Sequence, residues 1–267
     1  MPATTARIPA ADSTPWRWAA LGLLAGLLAA LVVFAPARWL AALVRQASGD
    51  QVLLLTPRGS FWQGSAQLTL SGGAGSTGAI ALPGALLWRI RPAPNGLSIQ
   101  LTAECCTPLP LRLFARPAGW RGLRLALADG QSRWPAGLLA GLGTPWNTVQ
   151  AQGQMVAQTQ GLQAEWLEGR LRLSGRLQLD ALDVSSRLST LRPMGSYRLT
   201  LVGGAPSTLS LETLAGGLRL SGQGQWVGER LRFDGVASAS PESVEALSNL
   251  LNIIGRRSGA TAIIKVG

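Results

Sequence analysis

Between Trp16 and Ala35 the chain reads WRWAALGLLAGLLAALVVFA, and its only charge, Arg17, stands at the second position. A helix needs about 20 consecutive apolar residues to cross the hydrocarbon core of a bilayer. Backbone amides in hydrocarbon must be satisfied within the segment, which a helix achieves. Trp16 and Trp18 at one end, and Trp39 just past the other, put indoles where headgroups would lie. Pro36 then stops the helix. A single transmembrane helix over 16–36 is therefore expected. Two rival readings fit less well. A cleaved signal peptide has a shorter apolar core with a small-residue site behind it; Phe34-Ala35-Pro36-Ala37 has that composition, but Pro36 is badly placed within it. A buried core helix would be shorter or show a polar face. Flanking charge does not orient the span, since Arg7 and Arg17 stand against Asp12 before it and Arg38 and Arg45 against Asp50 after it.

Beyond Asp50 the apolar period changes from helical to two. Leu40, Leu43 and Val44 still share a helical face, and Ser48-Gly49-Asp50 breaks it. Strands are expected at 52–55, 65–70, 85–90, 97–101, 111–114 and 123–127, then at 162–166, 170–179, 197–202, 208–211, 218–226, 230–237 and 260–266. Turn signals separate them at Pro57-Arg58-Gly59, Ser71-Gly72-Gly73, Pro92–Gly96 and Asp129-Gly130. A short helix is expected over Pro135–Leu142, closed by Gly143. A longer one is expected over 241–254, with Ser240 as N-cap, Pro241 first, and Val244, Leu247, Leu250, Leu251 and Ile254 on one face. Leu171-Arg-Leu-Ser-Gly175 returns as Leu218-Arg-Leu-Ser-Gly222, and a Trp-x-Gly step recurs at Trp62, Trp120 and Trp226. The expected fold class is mainly β: one N-terminal transmembrane helix plus a curved antiparallel sheet body, an open barrel, half-barrel or sandwich. It has two similar halves, each with a short helix. The expected layout is a tail over 1–15, a linker over 37–50, and β halves over 51–150 and 151–267.

The net charge of +11 is carried almost wholly by arginine. Those arginines alternate with leucine instead of forming a run, as in Leu171-Arg172-Leu173 and Leu231-Arg232-Phe233. That is the solvated face of half-buried strands. It argues against nucleic acid as a partner and is compatible with a lipid bilayer bearing anionic headgroups. There is no histidine, which removes the commonest general base and metal ligand. Cys105 and Cys106 are adjacent; a vicinal disulfide, free thiols and pairing with a partner all remain open. The close acid pairs, Glu165/Glu168 and Asp180/Asp183, read as solvated turn edges and not as an acid–base couple. Gly72-Gly73-Ala74-Gly75 lacks the lysine and following helix of a phosphate loop. No catalytic residue, cofactor or metal site is expected, and an enzyme is not. Trp62, Trp120, Trp146 and Trp166 suit contact anchors or core packing equally, and Trp62, Trp146 and Arg256 are the candidate partner-contact residues.

Several stretches resemble the type II secretion system protein N family: Pro57-Arg-Gly-Ser-Phe-Trp-Gln-Gly64, Leu86-Leu-Trp-Arg-Ile90, Trp134-Pro-Ala-Gly-Leu-Leu-Ala-Gly-Leu-Gly-Thr-Pro-Trp-Asn147, Leu191-Arg-Pro-Met-Gly-Ser-Tyr-Arg-Leu199 and Leu247-Ser-Asn-Leu-Leu-Asn-Ile-Ile-Gly-Arg256. Their order along one chain carries the likeness. The resemblance implies an accessory or scaffold component in the bacterial inner membrane, single-pass, with a small cytoplasmic N-terminus and a periplasmic body. It would support export of folded proteins from the periplasm across the outer membrane, with other inner-membrane subunits of the secretion system as partners. The alternative is a membrane-anchored periplasmic protein of lipid handling or envelope maintenance, since a curved sheet with an apolar inner face can hold acyl chains.

Overall fold

The computed structural model describes residues 16–76, 78–120, 122–144, 146–228 and 230–267; the expected tail over 1–15 lies outside them. The chain divides into one unit ending at Ala35 and a second from Pro36 to Gly267. In the first, α1 runs Trp16–Val33, and it is the one described helix long and apolar enough to cross a membrane. It buries nothing within the protein.

The second unit opens with α2 (Ala37–Ala47) and is otherwise dominated by β-strands. In chain order these are β1 (Val52–Gly59), β2 (Gln63–Ser71), β3 (Ala79–Ala81), β4 (Leu86–Ala93), β5 (Gly96–Ala103), β6 (Leu111–Ala118), β7 (Gly122–Leu127) and β8 (Gly130–Pro135). There follow a 3-10 turn (Ala136–Leu142), α3 (Trp146–Val149), β9 (Gln152–Leu167), β10 (Arg170–Ser185), β11 (Gly195–Val202) and β12 (Thr208–Gly216). Finally come β13 (Leu218–Val227), β14 (Arg230–Ala239), a 3-10 turn (Pro241–Ser243), α4 (Ser248–Ile254), β15 (Arg256–Ser258) and β16 (Thr261–Val266). All strands pair antiparallel in one sheet of order β1-β2-β4-β5-β6-β7-β9-β10-β11-β12-β13-β14-β16-β15. The sheet is not closed, which settles the expected sheet body as an open one. β9 forks it. Its first part pairs with β8 (Gln154–Thr159 with Gly130–Pro135) and its last part with β7 (Gln163–Trp166 with Leu123–Ala126).

Alternation along the strands gives the sheet one apolar and one polar face, because successive side chains point to opposite sides. Ile90, Ile99, Leu113 and Leu127 lie in register across β4 to β7, and Arg89, Gln100 and Arg112 form a row on the other face. The helical segments pack on the apolar face. Ala37 and Leu40 of α2 meet Trp88 and Ile90. Leu138 of the first 3-10 turn meets Leu82, Leu86 and Ala103. Leu247, Leu250 and Leu251 meet Met194, Tyr197, Leu218, Ala237 and Ala262. Gly141 has no room for a side chain, since a Cβ there would stand 2.5 Å from the Leu70 carbonyl oxygen.

Several expectations need correction. Pro57-Arg58-Gly59 is not a turn but the end of β1, reached through a bulge at Thr56 (φ 47°); the reversal comes at 60–62. The short helix expected over 135–142 is present as a 3-10 helix over Ala136–Leu142 closed by Gly143, with Pro135 at its N-cap and not at its first position. The helix expected over 241–254 is broken. Pro241–Ser243 makes one 3-10 turn, residues 244–247 turn irregularly, and only Ser248–Ile254 is α-helical. Ser240 makes no side-chain cap bond to the backbone; its hydroxyl bonds the Ser243 hydroxyl at 3.0 Å. The Ser189 hydroxyl donates to the Ala246 carbonyl at 2.9 Å, occupying an acceptor that a continuous helix would use. On α2, Leu40 and Val44 turn inward, but Leu43 faces out, so these three do not share a buried face.

Candidate interaction surface

The residues singled out for partner contact fall on separate elements. Trp62 lies in the β1–β2 reversal, edge-to-face with Phe61 at 5.4 Å, and packs against the cluster of Ala37, Ala66, Trp88 and Ile90. Trp146 opens α3 and is exposed. Arg256 opens β15, the last strand of the sheet, and is exposed. Trp62 and Arg256 therefore belong to opposite ends of the strand order.

Both sheet ends are guarded. α2 packs against β1, and β15 spans only Arg256–Ser258. Arg257 donates from Nε to the Gly259 carbonyl at 2.9 Å and sits 3.3 Å from Asn252 Oδ1. Short, charged edges discourage indiscriminate strand addition.

Among the described residues, Glu165 and Asp180 are each paired with an arginine. Glu165 accepts from Arg124 at 2.6 Å across β7 and β9, and Glu168 sits in the β9–β10 reversal with φ 49°. Asp180, expected at a solvated edge, is buried within β10. Arg198 donates to it from Nε at 2.7 Å and Nη2 at 2.9 Å. That hydrogen-bonded guanidinium holds the Asp180 carboxyl below the usual carboxylate range. Asp183 occupies a bulge with φ 50°. Tyr197 is buried and donates to the Leu218 carbonyl at 3.1 Å; burial pushes its hydroxyl well above the ordinary tyrosine range. Cys105 and Cys106 form a vicinal disulfide in the turn after β5, with Cys106 buried and Cys105 exposed. No three His, Cys, Asp or Glu residues cluster as metal ligands among the described residues.

One surface feature was not anticipated from the strands taken singly. Pro117, Leu123, Trp166 and Leu171 are in register across β6, β7, β9 and β10. The three large ones are 43, 39 and 50 % exposed, and Trp120 in the adjacent hairpin turn is 98 % exposed. The next row inward, Ala115, Leu125, Ala164 and Leu173, is half-buried. The signal was the Leu-x-Leu alternation, but the pairing of these particular strands was needed to assemble it.

An apolar N-terminal helix that fits a single-pass membrane anchor is followed in the chain by an open antiparallel sheet, the plan of an anchored β protein. Residues 50–263 match the model of the family described as type II secretion system (T2SS), protein N. The chain belongs to that family, a component of a multi-protein secretion system. No curated protein and no solved structure matches it.

Proposed function

We propose that this protein is an accessory scaffold of the type II secretion machinery, held in the inner membrane by α1 with its sheet body in the periplasm. The reading rests chiefly on the family match over 50–263, preceded in the chain, with residues 34–49 between, by a helix fit to cross a bilayer. The body then acts by contact. Trp146 and Arg256 are exposed and Trp62 lies at the β1–β2 end, so each marks a different face for other inner-membrane subunits. Read as two halves over 51–150 and 151–267, the body is joined where β9 takes both β7 and β8 as partners.

Deletion of the gene is expected to leave secreted substrates in the periplasm, and the full chain supplied in trans is expected to restore export. A photo-reactive residue at Trp62, Trp146 or Arg256 is expected to capture other subunits of the machine. A reporter fused after Gly267 should be active only in the periplasm. Unchanged export on deletion, or a cytoplasmic reporter signal, would overturn the proposal.

A further inference from the structure

The two outer borders of the sheet are guarded, but a third border opens inside it. β9 accompanies β10 from Arg170 onward, whereas β11 accompanies it only from Arg176 to Val184. The Gly203 N–H donates to the Gly175 carbonyl at 2.8 Å, and no rung to β11 is formed beyond it among the described residues. Arg170–Ser174 therefore pairs with β9 alone.

Alternation decides which groups are left over. In an antiparallel ladder, successive residues bond to opposite sides. Gly175 bonds toward β11, so Leu173 and Leu171 are directed to that side as well. The other side agrees. Leu167 and Arg170 flank a two-residue turn, Glu168 at φ 49° and Gly169 at φ 77°, so Arg170 and Arg172 bond toward β9. The N–H and C=O groups of Leu171 and Leu173 thus face outward with no strand beside them among the described residues. Such a row is a template for strand addition.

The rows of side chains that end at this border define what would continue them, because directly opposed side chains on neighbouring strands interact. On one face, Leu123, Trp166 and Leu171 make one row, and Leu125, Ala164 and Leu173 make the next. Between them on the other face runs Arg124, Glu165 and Arg172. Arg124 donates to Glu165 at 2.6 Å, and Arg172 is exposed at the end of the row. Arg170 and Arg176, also exposed, stand on the same face of β10. An added strand would therefore set apolar side chains beside Leu171 and Leu173, and an acidic one beside Arg172. A second copy of this chain fits the border badly. Paired edge to edge with Leu171 opposite Leu173, it sets Arg172 against Arg172, and like charges directly opposed destabilise a ladder.

We infer that the open border of β10 at Arg170–Leu173 takes up one extended strand of another protein, in which acidic residues alternate with apolar ones. The inference does not rest on the secretion reading, and its test is blind to export. Full-length protein in detergent micelles is titrated against fluorescein-labelled Val-Glu-Val-Glu-Val-Glu-Val, amidated at its C-terminus, and against the same peptide with lysine for glutamate. Binding is read as fluorescence anisotropy. The wild type is expected to bind the Val-Glu peptide saturably and more weakly as salt is raised. Its preference over the Val-Lys peptide is expected to be about fivefold or more. Leu171→Pro deletes an outward N–H and leaves the bonds to β9 in place, since those come from Arg170 and Arg172. It is expected to weaken Val-Glu binding by about tenfold. Arg172→Glu changes only an exposed side chain and is expected to reverse the order of the two peptides. That second variant keeps the test decisive if Leu171→Pro fails to fold. No saturable binding below about 1 mM peptide, equal affinity for both peptides, or indifference to both variants would overturn the inference. So would a dimer of the wild-type chain that Leu171→Pro dissolves, which would make a second copy the occupant.

Discussion

Arg198 of β11 faces Asp180 of β10 directly across the ladder and holds both carboxylate oxygens, Nε to Oδ1 at 2.7 Å and Nη2 to Oδ2 at 2.9 Å. Gln178 adds a third donor at 3.2 Å, and the carboxylate is nearly enclosed. The pair sits on the otherwise polar side of the sheet. It joins neighbouring strands through side chains where the backbone ladder is about to be interrupted by a bulge between Ala181 and Val184.

Arg198→Met leaves that carboxylate without its main donors, and the protein is expected to lose about 2 kcal/mol of stability, as for a charge-assisted hydrogen bond at a partly screened site. The folded-state pKa of Asp180 is depressed, so its contribution is fully present above the unfolded value of 3.8 and is lost as pH falls through the lower folded value. Denaturant melts of wild type and Asp180→Asn in detergent should therefore differ most at neutral pH and converge below about pH 4. A gap that stayed constant into acid would mean the charge is not what stabilises.

Phe233 lies over a floor of glycines. A Cβ at Gly222 would collide with the Phe233 ring and would stand 3.0 Å from the Asp234 carbonyl oxygen; one at Gly235 would stand 2.8 Å from the same ring. Gly222→Val is expected to cost about 1–3 kcal/mol by overpacking. Combining it with Phe233→Leu should restore part of that loss, read as a coupling energy in a double-mutant cycle. Additive losses would show that the backbone, not the ring, sets the limit.

Leu251 is fully buried in the cluster beneath Met194 and Tyr197, whereas Ile253 two residues on is exposed. Leu251→Ala is expected to lower stability by about 3 kcal/mol. Ile253→Ala should shift it by less than about 0.5 kcal/mol. Equal effects would contradict the packing of α4 against the sheet.

Placing arginine at Leu24 and Leu28 in the middle of α1 is expected to cost about 3 kcal/mol of insertion free energy per residue. The variant should shift from the carbonate-resistant membrane fraction toward the extractable one. Full retention would mean that something other than α1 holds the protein to lipid.

The parts of this fold that were readable in advance are those where physics is local. Leu-Arg-Leu alternation marks β10, β13 and β14 because each has one wet and one dry face. The first stretch of β9, Gln-Gly-Gln-Met-Val-Ala-Gln, gave no such signal: Met155 and Val156 are both buried although adjacent, so alternation fails there. β3 and β15 are too short to show a period. The helix over 241–254 had every local cue and was still broken, because Ser189, distant in sequence, takes one of its carbonyls. Asp180 looked like a solvated acid for the same reason: its partner Arg198 is eighteen residues on and only the β10–β11 hairpin brings them face to face. The apolar row through Trp166 likewise depends on strand order, which no single stretch records.

The shared strand β9 has a consequence for how the molecule is made. Chains emerge N-terminus first. β7 and β8 are both complete by Pro135, yet each waits for the same partner, whose final residues come at Gln163–Leu167. Until the ribosome has delivered that stretch, the early strands carry two ready but unsealed borders. Synthesis of residues 152–167 is thus the moment at which the early strands become sticky no longer, and a pause just before it would leave the nascent chain most open to misjoining with its neighbours.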